Sequence, residues 1–305
     1  MRDEDCVVFL QWALPTLQMR WPGFRKVRRQ VCKRIGRRLQ ELALPSVEAY
    51  RHYLTAHPQE WDILDRMCQI TISRFYRDRQ VWRQLQEDVL PRLIRIAHNA
   101  RAARDCYAGS ADRAACNTRE DLDPLAARAG PRAVRPSLNC WSVGCAAGEE
   151  PYTLALIWER ELRASHPDCD LLILATDTNT ELLARASEAI YPASSLKDTP
   201  ADWRNEAFRP SGRRWQLDRR YRKRVIFRDH DIRTDVVPGE YDLILCRNLV
   251  FTYFTEELQH QVLRRFAGVL LPAGFLVVGR HEKLPEGCQD FLPQPGMPCF
   301  FRKHN

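Results

Sequence analysis

The second half of the chain alternates between strand-like and helix-like patterns, and this alternation constrains the fold more than any other feature. Buried strands are predicted at 138–143, 171–175, 241–245 and 275–278, where apolar residues form short runs. Amphipathic helices are predicted between them. Alternating strands and helices form a parallel sheet with helices on both faces, so the predicted fold class is α/β. In such a sheet, ligands bind at the carboxyl ends of the strands.

The sequence divides the chain into a helical N-terminal domain, a linker or insertion, and the α/β domain. Residues 1–96 predict an all-α N-terminal domain, because apolar side chains recur at helical spacing and Ser46 is suited to a helix N-cap. Residues 97–137 are rich in Ala and Arg and poor in large apolar residues, which predicts a linker or insertion. Residues 138–305 form the α/β domain. A small β-subdomain is predicted within it at about 208–228, where the pattern is antiparallel and linked by turns.

The composition is typical of a soluble globular protein, with 45% apolar and 28% charged residues. No apolar run approaches the ~20 residues that span a bilayer, and the first residues are charged. We therefore expect neither membrane insertion nor a signal peptide. The eleven cysteines are an odd number without a CxxC pair. This usage predicts reduced thiols in a cytoplasmic protein and no structural metal site. The protein is expected to be a monomer.

The net charge of +8 is concentrated in two segments. Eight of the fourteen residues 25–38 and eight of the sixteen residues 209–224 are Lys or Arg. Such clusters indicate an acidic partner, which from charge alone is a nucleic acid, an anionic lipid or an acidic protein surface. A solvated helix face and a solvated hairpin account for the same pattern.

The segment 142–152 contains a glycine turn between the first strand and its helix. Gly144 and Gly148 allow the backbone to approach a nucleoside closely. A dinucleotide-binding turn would direct the helix N-terminus at a pyrophosphate. Here Glu149 and Glu150 occupy that position, where they repel phosphate but suit a cation such as a sulfonium or ammonium group. Acidic residues are also favourable at any helix start.

Asp177 ends the second predicted strand, about thirty residues after the glycine turn. Nucleotide-binding α/β units place an acid there to accept hydrogen bonds from ribose hydroxyls. The alternative role is an ordinary helix N-cap. Together with the acidic glycine turn, we favour ribose binding.

These residues resemble the CheR family of chemotaxis-receptor methyltransferases. The resemblance rests on the sequences TISRFYRD, WSVGCAAGEEPY, ATD, YDLILCRN, TYF and GRHE, at 71–78, 141–152, 175–177, 241–248, 252–254 and 279–282. It implies a class I methyltransferase (Rossmann-like) domain that carries an inserted three-stranded β-subdomain and follows an all-α domain. It also implies S-adenosylmethionine (SAM) as the cofactor.

The turn, Asp177 and the resemblance together predict the site residues. The predicted cofactor-binding residues are Thr71, Ser73, Arg77, Gly144, Gly148, Glu149, Asp177, Asp231, Ile232, Arg247 and Asn248. By the same resemblance, Arg77 and Tyr253 are the catalytic residues beside the reacting carboxylate.

The chain departs from the family pattern at several of these positions. Thr71 stands where the family has Asn, and Ser73 where it has Thr. Asp231 replaces an Asn beside the adenine, and its carboxylate can still accept from the adenine amino group. One additional residue separates Asn248 from Tyr253, which makes the catalytic assignment of Tyr253 depend on the folded structure.

The predicted activity is methyl transfer from SAM to glutamate carboxylates of an acidic, helical, chemoreceptor-like protein. A glutamate has a pKa of about 4.3, so at neutral pH it is a nucleophile without a general base. Arg34, Arg37 and Arg38 are predicted to dock the partner. Because the segment 208–231 is shorter than in members whose β-subdomain grips a receptor tether, no such tether is expected.

Other functions are compatible with parts of the sequence. A catalytically silent SAM-binding regulatory module would explain the changes at Thr71 and Ser73. Nucleic-acid methylation is disfavoured, because the segment after the fourth strand lacks the Asn/Asp-Pro-Pro-aromatic pattern. His281 with Glu282 is expected to be structural, since no second metal ligand lies at suitable spacing.

Overall fold

The apolar periodicity of the first hundred residues produces a series of short helices. The computed structural model describes residues 2–108, 136–234 and 237–304. The α-helices of the first range are α1 Asp3–Ala13, α2 Trp21–Phe24, α3 Arg28–Glu41, α4 Val47–Ala56, α5 Glu60–Cys68, α6 Arg79–Gln84 and α7 Leu90–Ala108. The predicted N-cap is confirmed, because the Ser46 hydroxyl accepts from the Ala49 N–H at 3.2 Å.

The helix α7 crosses the position at which the linker was predicted to begin. Residues 97–108 continue this helix, because Ala and Arg are both strong helix formers. The start of the linker at 97 therefore needs correction. Residues 109–135, the rest of the predicted linker, lie outside the described residues.

The predicted strands join one seven-stranded sheet. Its strands are β1 Ser137–Val143, β2 Asp170–Asp177, β6 Val225–Asp229, β7 Tyr241–Cys246, β8 Leu270–Val278, β9 Phe291–Gln294 and β10 Met297–Lys303. Their order is β6-β2-β1-β7-β8-β10-β9. The first five strands run parallel, and β10 pairs antiparallel with both β8 and β9.

Helices cover both faces of this sheet, as predicted. The helices of this half are α8 Glu149–Ile157, α9 Thr180–Glu188, α10 Ala201–Ala207, α11 Arg219–Arg222, α12 Val250–Tyr253 and α13 Glu256–Val269. Alternate residues of β7 enter two different apolar clusters, Leu243 with helices α7 and α8, and Ile244 with α13 and the N-terminal helices. Helices α1 to α5 therefore pack on the α13 side of the sheet, whereas α6 and α7 pack on the α8 side.

A second, three-stranded sheet corresponds to the predicted β-subdomain. It consists of β3 Ile190–Tyr191, β5 Arg214–Leu217 and β4 Phe208–Ser211, in that order and antiparallel. The predicted boundaries of about 208–228 are corrected at both ends. Ile190–Tyr191 belongs to the small sheet, whereas Val225–Asp229 pairs in parallel with β2 and forms an edge of the large sheet. The apolar side chains Val225 and Phe227 pack against the main core, which draws this strand away from the hairpin.

The expectation that every cysteine is a reduced thiol is wrong for one pair. Cys6 in α1 and Cys32 in α3 form a disulfide, with Cα atoms 5.9 Å apart. Packing of these two helices brings the residues into bonding range, which spacing along the chain does not reveal. Reduced thiols were part of the support for a cytoplasmic location, and this pair weakens that support.

Two negative findings concern the described residues alone. Between residues 2 and 304, outside 109–135 and 235–236, no helix is both long enough and apolar enough to cross a membrane. Within the same ranges, no group of three or more His, Cys, Asp or Glu side chains is arranged to hold a metal ion.

The N-terminal helices contact the α/β domain next to one predicted catalytic residue. The Arg20 N–H donates to the Tyr253 carbonyl at 2.8 Å, and the Thr255 N–H donates to the Gln18 carbonyl at 2.9 Å. A Cβ at Gly23 would lie 2.3 Å from the Thr252 carbonyl oxygen, so only glycine permits this approach. The all-α region thus forms part of the environment of Tyr253.

Asp242 gives the fold a testable dependence on pH. Its buried carboxylate accepts from the Asn139 N–H at 2.9 Å, and burial raises the pKa of Asp242 from 3.8 to about 6. The native protein therefore holds this proton more tightly than the unfolded chain, and Asp242 lowers stability as the pH rises from about 4 to beyond 6. The difference corresponds to about 3 kcal/mol.

We predict that Asp242→Asn removes this penalty. Relative to the unchanged protein, the free energy of unfolding of the variant should increase by up to about 3 kcal/mol between pH 4 and pH 7.5, measured by urea unfolding. Glu286→Gln, at an exposed carboxylate that does not contribute to the pKa of Asp242, serves as the control. Parallel pH profiles for Asp242→Asn and the unchanged protein would contradict the prediction.

Candidate cofactor site

The glycine turn after β1 has the backbone conformation that its residues predict. Gly144 has φ +68° and Gly148 has φ +87°, in the left-handed region that favours glycine. A Cβ at Gly144 would lie 2.5 Å from a methyl carbon of Leu249, so the turn approaches the loop after β7 closely. Gly148 faces Ala186 and Phe227, where its missing side chain allows helix–sheet packing.

Asp177 connects this turn to the end of β2. One carboxylate oxygen accepts from the Ala146 N–H at 2.8 Å, and the other accepts from the Asn179 N–H at 2.9 Å. Burial raises the pKa of Asp177, against the lowering effect of these backbone donors. The helix N-cap is Asn179, whose side chain accepts from the Leu182 N–H. Asn179, and not Asp177, is therefore the N-cap of α9.

The two acidic residues of the turn have different surroundings. Glu149 is buried beside Ser195, whose hydroxyl donates to it at 3.2 Å, and it also has a side-chain hydrogen bond with Ser73. Glu150 accepts from the Ser142 hydroxyl at 2.9 Å and from Arg247 at 3.3 Å. Burial raises the pKa of both carboxyl groups.

Two adjoining clefts lie at the carboxyl ends of β1, β2 and β7, and most of the predicted site residues line them. In the larger cleft these are Thr71, Gly144, Asp177, Asp231, Ile232, Asn248 and Tyr253. In the smaller cleft they are Thr71, Ser73, Arg77, Gly144, Arg247 and Asn248. The two clefts are adjacent, because Thr71, Gly144 and Asn248 line both of them. Of the predicted residues, Gly148 and Glu149 line neither cleft, whereas Glu150 lines the smaller one.

At the far end of the larger cleft, Asp231 belongs to a charged cluster that the sequence did not reveal. The Arg233 guanidinium donates to both oxygens of Asp231 and, at 2.8 Å, to both oxygens of Asp65 in α5. Burial opposes ionisation of Asp231, but hydrogen bonds from Arg233 outweigh it and leave its pKa below the ordinary value. Asp231 is therefore an ionised acceptor at neutral pH, suited to the amino group of an adenine.

The predicted catalytic residues lie in adjoining clefts. Arg77 lines the smaller cleft and donates to the Ile72 carbonyl at 3.0 Å. Tyr253 lines the larger cleft and packs on Phe24, with ring centroids 5.0 Å apart. Burial raises the pKa of Tyr253 to about 12, against the lowering effect of the Arg77 charge. Tyr253 is the last residue of the short helix α12.

Glu282 holds the loop after β7, a role that the sequence did not specify. Its buried carboxylate accepts from the Asn248 N–H, the Gly279 N–H and the Thr252 hydroxyl at 2.6 to 2.7 Å. Asn248 has φ +60°, an uncommon conformation for a residue other than glycine, and these bonds support it. These contacts give Glu282 a structural role.

The cysteine thiols near the clefts are not activated as nucleophiles. Cys145 and Cys246 are both buried. Burial raises the pKa of each thiol well above its ordinary value, so both remain protonated at neutral pH. This agrees with the expectation that they are packing residues.

The predicted docking arginines are divided between inward and outward positions. Arg34 donates to the carbonyls of Met67 and Gln69 at the end of α5, and Arg38 forms two 2.8 Å hydrogen bonds with the buried carboxylate of Glu60. The guanidinium groups of Arg34 and Arg38 thus bind within the helical domain, and their assignment to partner docking stays a prediction. Arg37 is exposed.

The fold and the clefts define a class of protein. A parallel sheet extended by an antiparallel strand, with a glycine turn after β1 and an acid at the end of β2, is the class I methyltransferase fold. Residues 118–297, more than half of the chain, match the SAM-binding domain of CheR methyltransferase. The chain belongs to the CheR methyltransferase family.

Several curated relatives support this membership. The chemotaxis protein methyltransferase of Listeria monocytogenes is 34% identical over 215 residues, which cover 70% of this chain and 66% of that protein. The probable chemotaxis protein methyltransferase of Rhizobium etli is 26% identical over 261 residues, 83% of this chain and 84% of the relative. Chemotaxis protein methyltransferase 2 of Pseudomonas aeruginosa is 26% identical over 258 residues, 83% and 77% of the two chains. The match to the Listeria protein spans just under two thirds of its length.

The residues present fit SAM. Gly144 lines both clefts and has no side chain that would obstruct a nucleoside. Asp177 and Asp231 supply acceptors for hydroxyl and amino groups, while Glu150 supplies negative charge near a cation. These acceptors suit the hydroxyl and amino groups of a positively charged nucleoside.

We predict that Asp177→Asn weakens binding of S-adenosylhomocysteine (SAH) by roughly 10- to 100-fold. A hydrogen bond to a charged group contributes about 1.5–3 kcal/mol, and the amide loses that charge while keeping the size of the side chain. Isothermal titration calorimetry measures the affinity. Asp229→Asn, at an exposed carboxylate that ends the neighbouring strand β6, is the control and should retain affinity. Equal affinity for Asp177→Asn and the unchanged protein would contradict a ribose-binding role.

Proposed function

We propose that this protein transfers the methyl group of SAM to glutamate side chains of a chemoreceptor-like partner, forming methyl esters. The observation that carries the proposal is the continuity of the two clefts. The acids suited to the nucleoside and the arginine suited to a carboxylate line adjoining spaces that share Thr71, Gly144 and Asn248. The names of the relatives support the chemotaxis partner.

The chain's own residues have three tasks in this reaction. When bound, SAM supplies an electrophilic methyl group on a positively charged sulfur. Asp177 and Asp231 hold the nucleoside, and Arg77 orients the substrate carboxylate, one oxygen of which forms the new bond to the methyl carbon as the bond from carbon to sulfur breaks. Tyr253 and Phe24 form an apolar wall beside this space. Orientation of this kind can supply roughly 7–11 kcal/mol of a barrier.

No general base is required for this chemistry. The substrate glutamate is already ionised at neutral pH. The two opposite charges disappear as the methyl group moves, so a dry and aligned site lowers the barrier more than added polar groups would. The protonated thiols of Cys145 and Cys246 and the structural role of Glu282 agree with a site that works by alignment.

The proposal predicts methyl esters on receptor glutamates. The protein is incubated with methyl-labelled SAM and the purified cytoplasmic helical fragment of a chemoreceptor. Base treatment should then release labelled methanol, because esters are cleaved by base whereas methylamines are not. Replacement of the receptor glutamates by alanine is the control and should abolish the volatile label. A protein that binds SAH yet yields no labelled ester with any receptor would instead be the silent regulatory module.

We also propose a revised docking surface on α3. Arg29, Lys33 and Arg37 are exposed and recur at i, i+4 and i+8, so they share one face of the helix. Basic side chains on one helix face suit an acidic helical partner. Unlike Arg34 and Arg38, none of the three has a hydrogen bond to a buried group among the described contacts.

We predict that the triple change Arg29→Glu, Lys33→Glu and Arg37→Glu lowers receptor methylation at least tenfold and leaves SAH affinity within about twofold. Charge reversal replaces attraction to the acidic partner by repulsion, which acts on association. The matched control reverses three exposed arginines of the β-subdomain region, Arg213, Arg214 and Arg219, and so changes the net charge equally. If only this control loses methylation, the partner docks on the hairpin; equal losses in both would show a net-charge effect.

A further inference from the structure

The backbone on either side of Arg77 adopts an uncommon conformation. Tyr76 has φ +58° and Asp78 has φ +61°, both in the left-handed region. Residues other than glycine in this region cost free energy and persist only where surrounding contacts hold them. One such residue on each side of Arg77 indicates that the position of Arg77 is imposed by the rest of the structure.

Hydrogen bonds with other elements hold this segment. The Tyr76 N–H donates to the Thr153 hydroxyl at 3.1 Å. The carbonyl of Arg77 accepts from the Trp82 indole N–H at 2.8 Å and from the Arg247 guanidinium at 3.0 Å. The guanidinium of Arg77 itself donates to the Ile72 carbonyl within its own loop. The direction of the Arg77 side chain therefore depends on how its backbone is held.

Arg247 acts as a clamp, because its side chain contacts both the Arg77 segment and the acidic glycine turn. It follows β7, its side chain is only 4% exposed, and its guanidinium lies 5.1 Å from the Trp82 ring centroid. One terminal nitrogen donates to Asp78 at 2.8 Å as well as to the Arg77 carbonyl, and the other donates to Glu150 at 3.3 Å. A single buried cation thus connects the Arg77 segment to the acidic glycine turn.

We propose that Arg247 is a positioning residue for methyl transfer, which orients Arg77 through the Arg77 carbonyl and Asp78. This inference rests on the proposed function of Arg77 in binding the substrate carboxylate. It differs from the expectation that Arg247 binds the cofactor, because three of its five N–H groups already donate to Asp78, Glu150 and the Arg77 carbonyl. Through Glu150 the same clamp keeps the Arg77 segment in register with the turn beside the cofactor.

The test compares Arg247→Lys with the unchanged protein. A lysine keeps the charge but has no planar fork to reach Asp78, Glu150 and the Arg77 carbonyl together. We expect kcat for receptor methylation to fall about 10- to 100-fold, since a displacement of about 1 Å can cost that much. SAH affinity should stay within about threefold. In a double-mutant cycle with Arg77→Ala, the Arg247→Lys change should cause little further loss.

A second measurement does not depend on the reaction. Hydrogen–deuterium exchange of amides 74–80 should be faster in Arg247→Lys than in the unchanged protein. Asp78→Asn, a second variant of the same clamp, should show the same change to a smaller degree. Arg224→Lys is the matched control, because Arg224 is another buried arginine that joins two acids, Glu159 and Asp170, away from the clefts. It should leave kcat and the exchange of 74–80 unchanged.

The outcomes separate the possible failures. Unchanged exchange of 74–80 in Arg247→Lys overturns the positioning role, whether or not methylation is detected. Additive losses in the cycle with Arg77→Ala also overturn it, and a fall in SAH affinity parallel to kcat shows a cofactor ligand instead. If the unchanged protein methylates no receptor, the proposed function fails, and the exchange data alone decide the role of Arg247.

Discussion

The hydrogen bond from the Ala146 N–H to the Asp177 carboxylate, 2.8 Å long, is the contact on which the organisation of the site depends. It joins the turn after β1 to the end of β2, and the second oxygen of the same carboxylate accepts from the Asn179 N–H before α9. Because both oxygens are engaged by backbone donors, this side chain is restricted before a ligand arrives. A pre-ordered acceptor loses less conformational entropy on binding.

Local patterns in the sequence were sufficient to predict four of the seven strands of the large sheet and the turn after β1. The apolar runs that became β1, β2 and β7 and the N-cap at Ser46 depend on neighbouring residues alone. Errors arose where one local pattern permits two structures. Residues 225–229 have the alternation of a hairpin strand, but their apolar side chains pack against the main core and pair with β2. The boundary at 97 failed because an Ala- and Arg-rich segment continues a helix once one has begun.

Contacts between distant residues were not predictable from the sequence, and they decide the role of each charge. Arg38 pairs with Glu60, Arg233 with Asp65, and Arg247 with Asp78, the last two across more than 160 residues of chain. Composition shows that residues 25–38 are basic but not which side chains point inward. The same limit applies to Cys6 and Cys32, whose pairing follows from how α1 and α3 pack.

The different burial of two arginines in the smaller cleft explains how their roles can differ. Arg247 is almost fully buried between Asp78 and Glu150, and a buried charge that loses its acidic partners is strongly destabilising, so its contacts are costly to exchange. Arg77 is only partly buried and donates to a backbone carbonyl, a neutral acceptor that a substrate carboxylate can replace at small cost. A charge-neutralising methyl transfer needs one cation that meets the substrate and a rigid surrounding that does not compete for it. In the proposed reaction the buried Arg247 would supply the rigidity, and the partly buried Arg77 would remain available to the substrate.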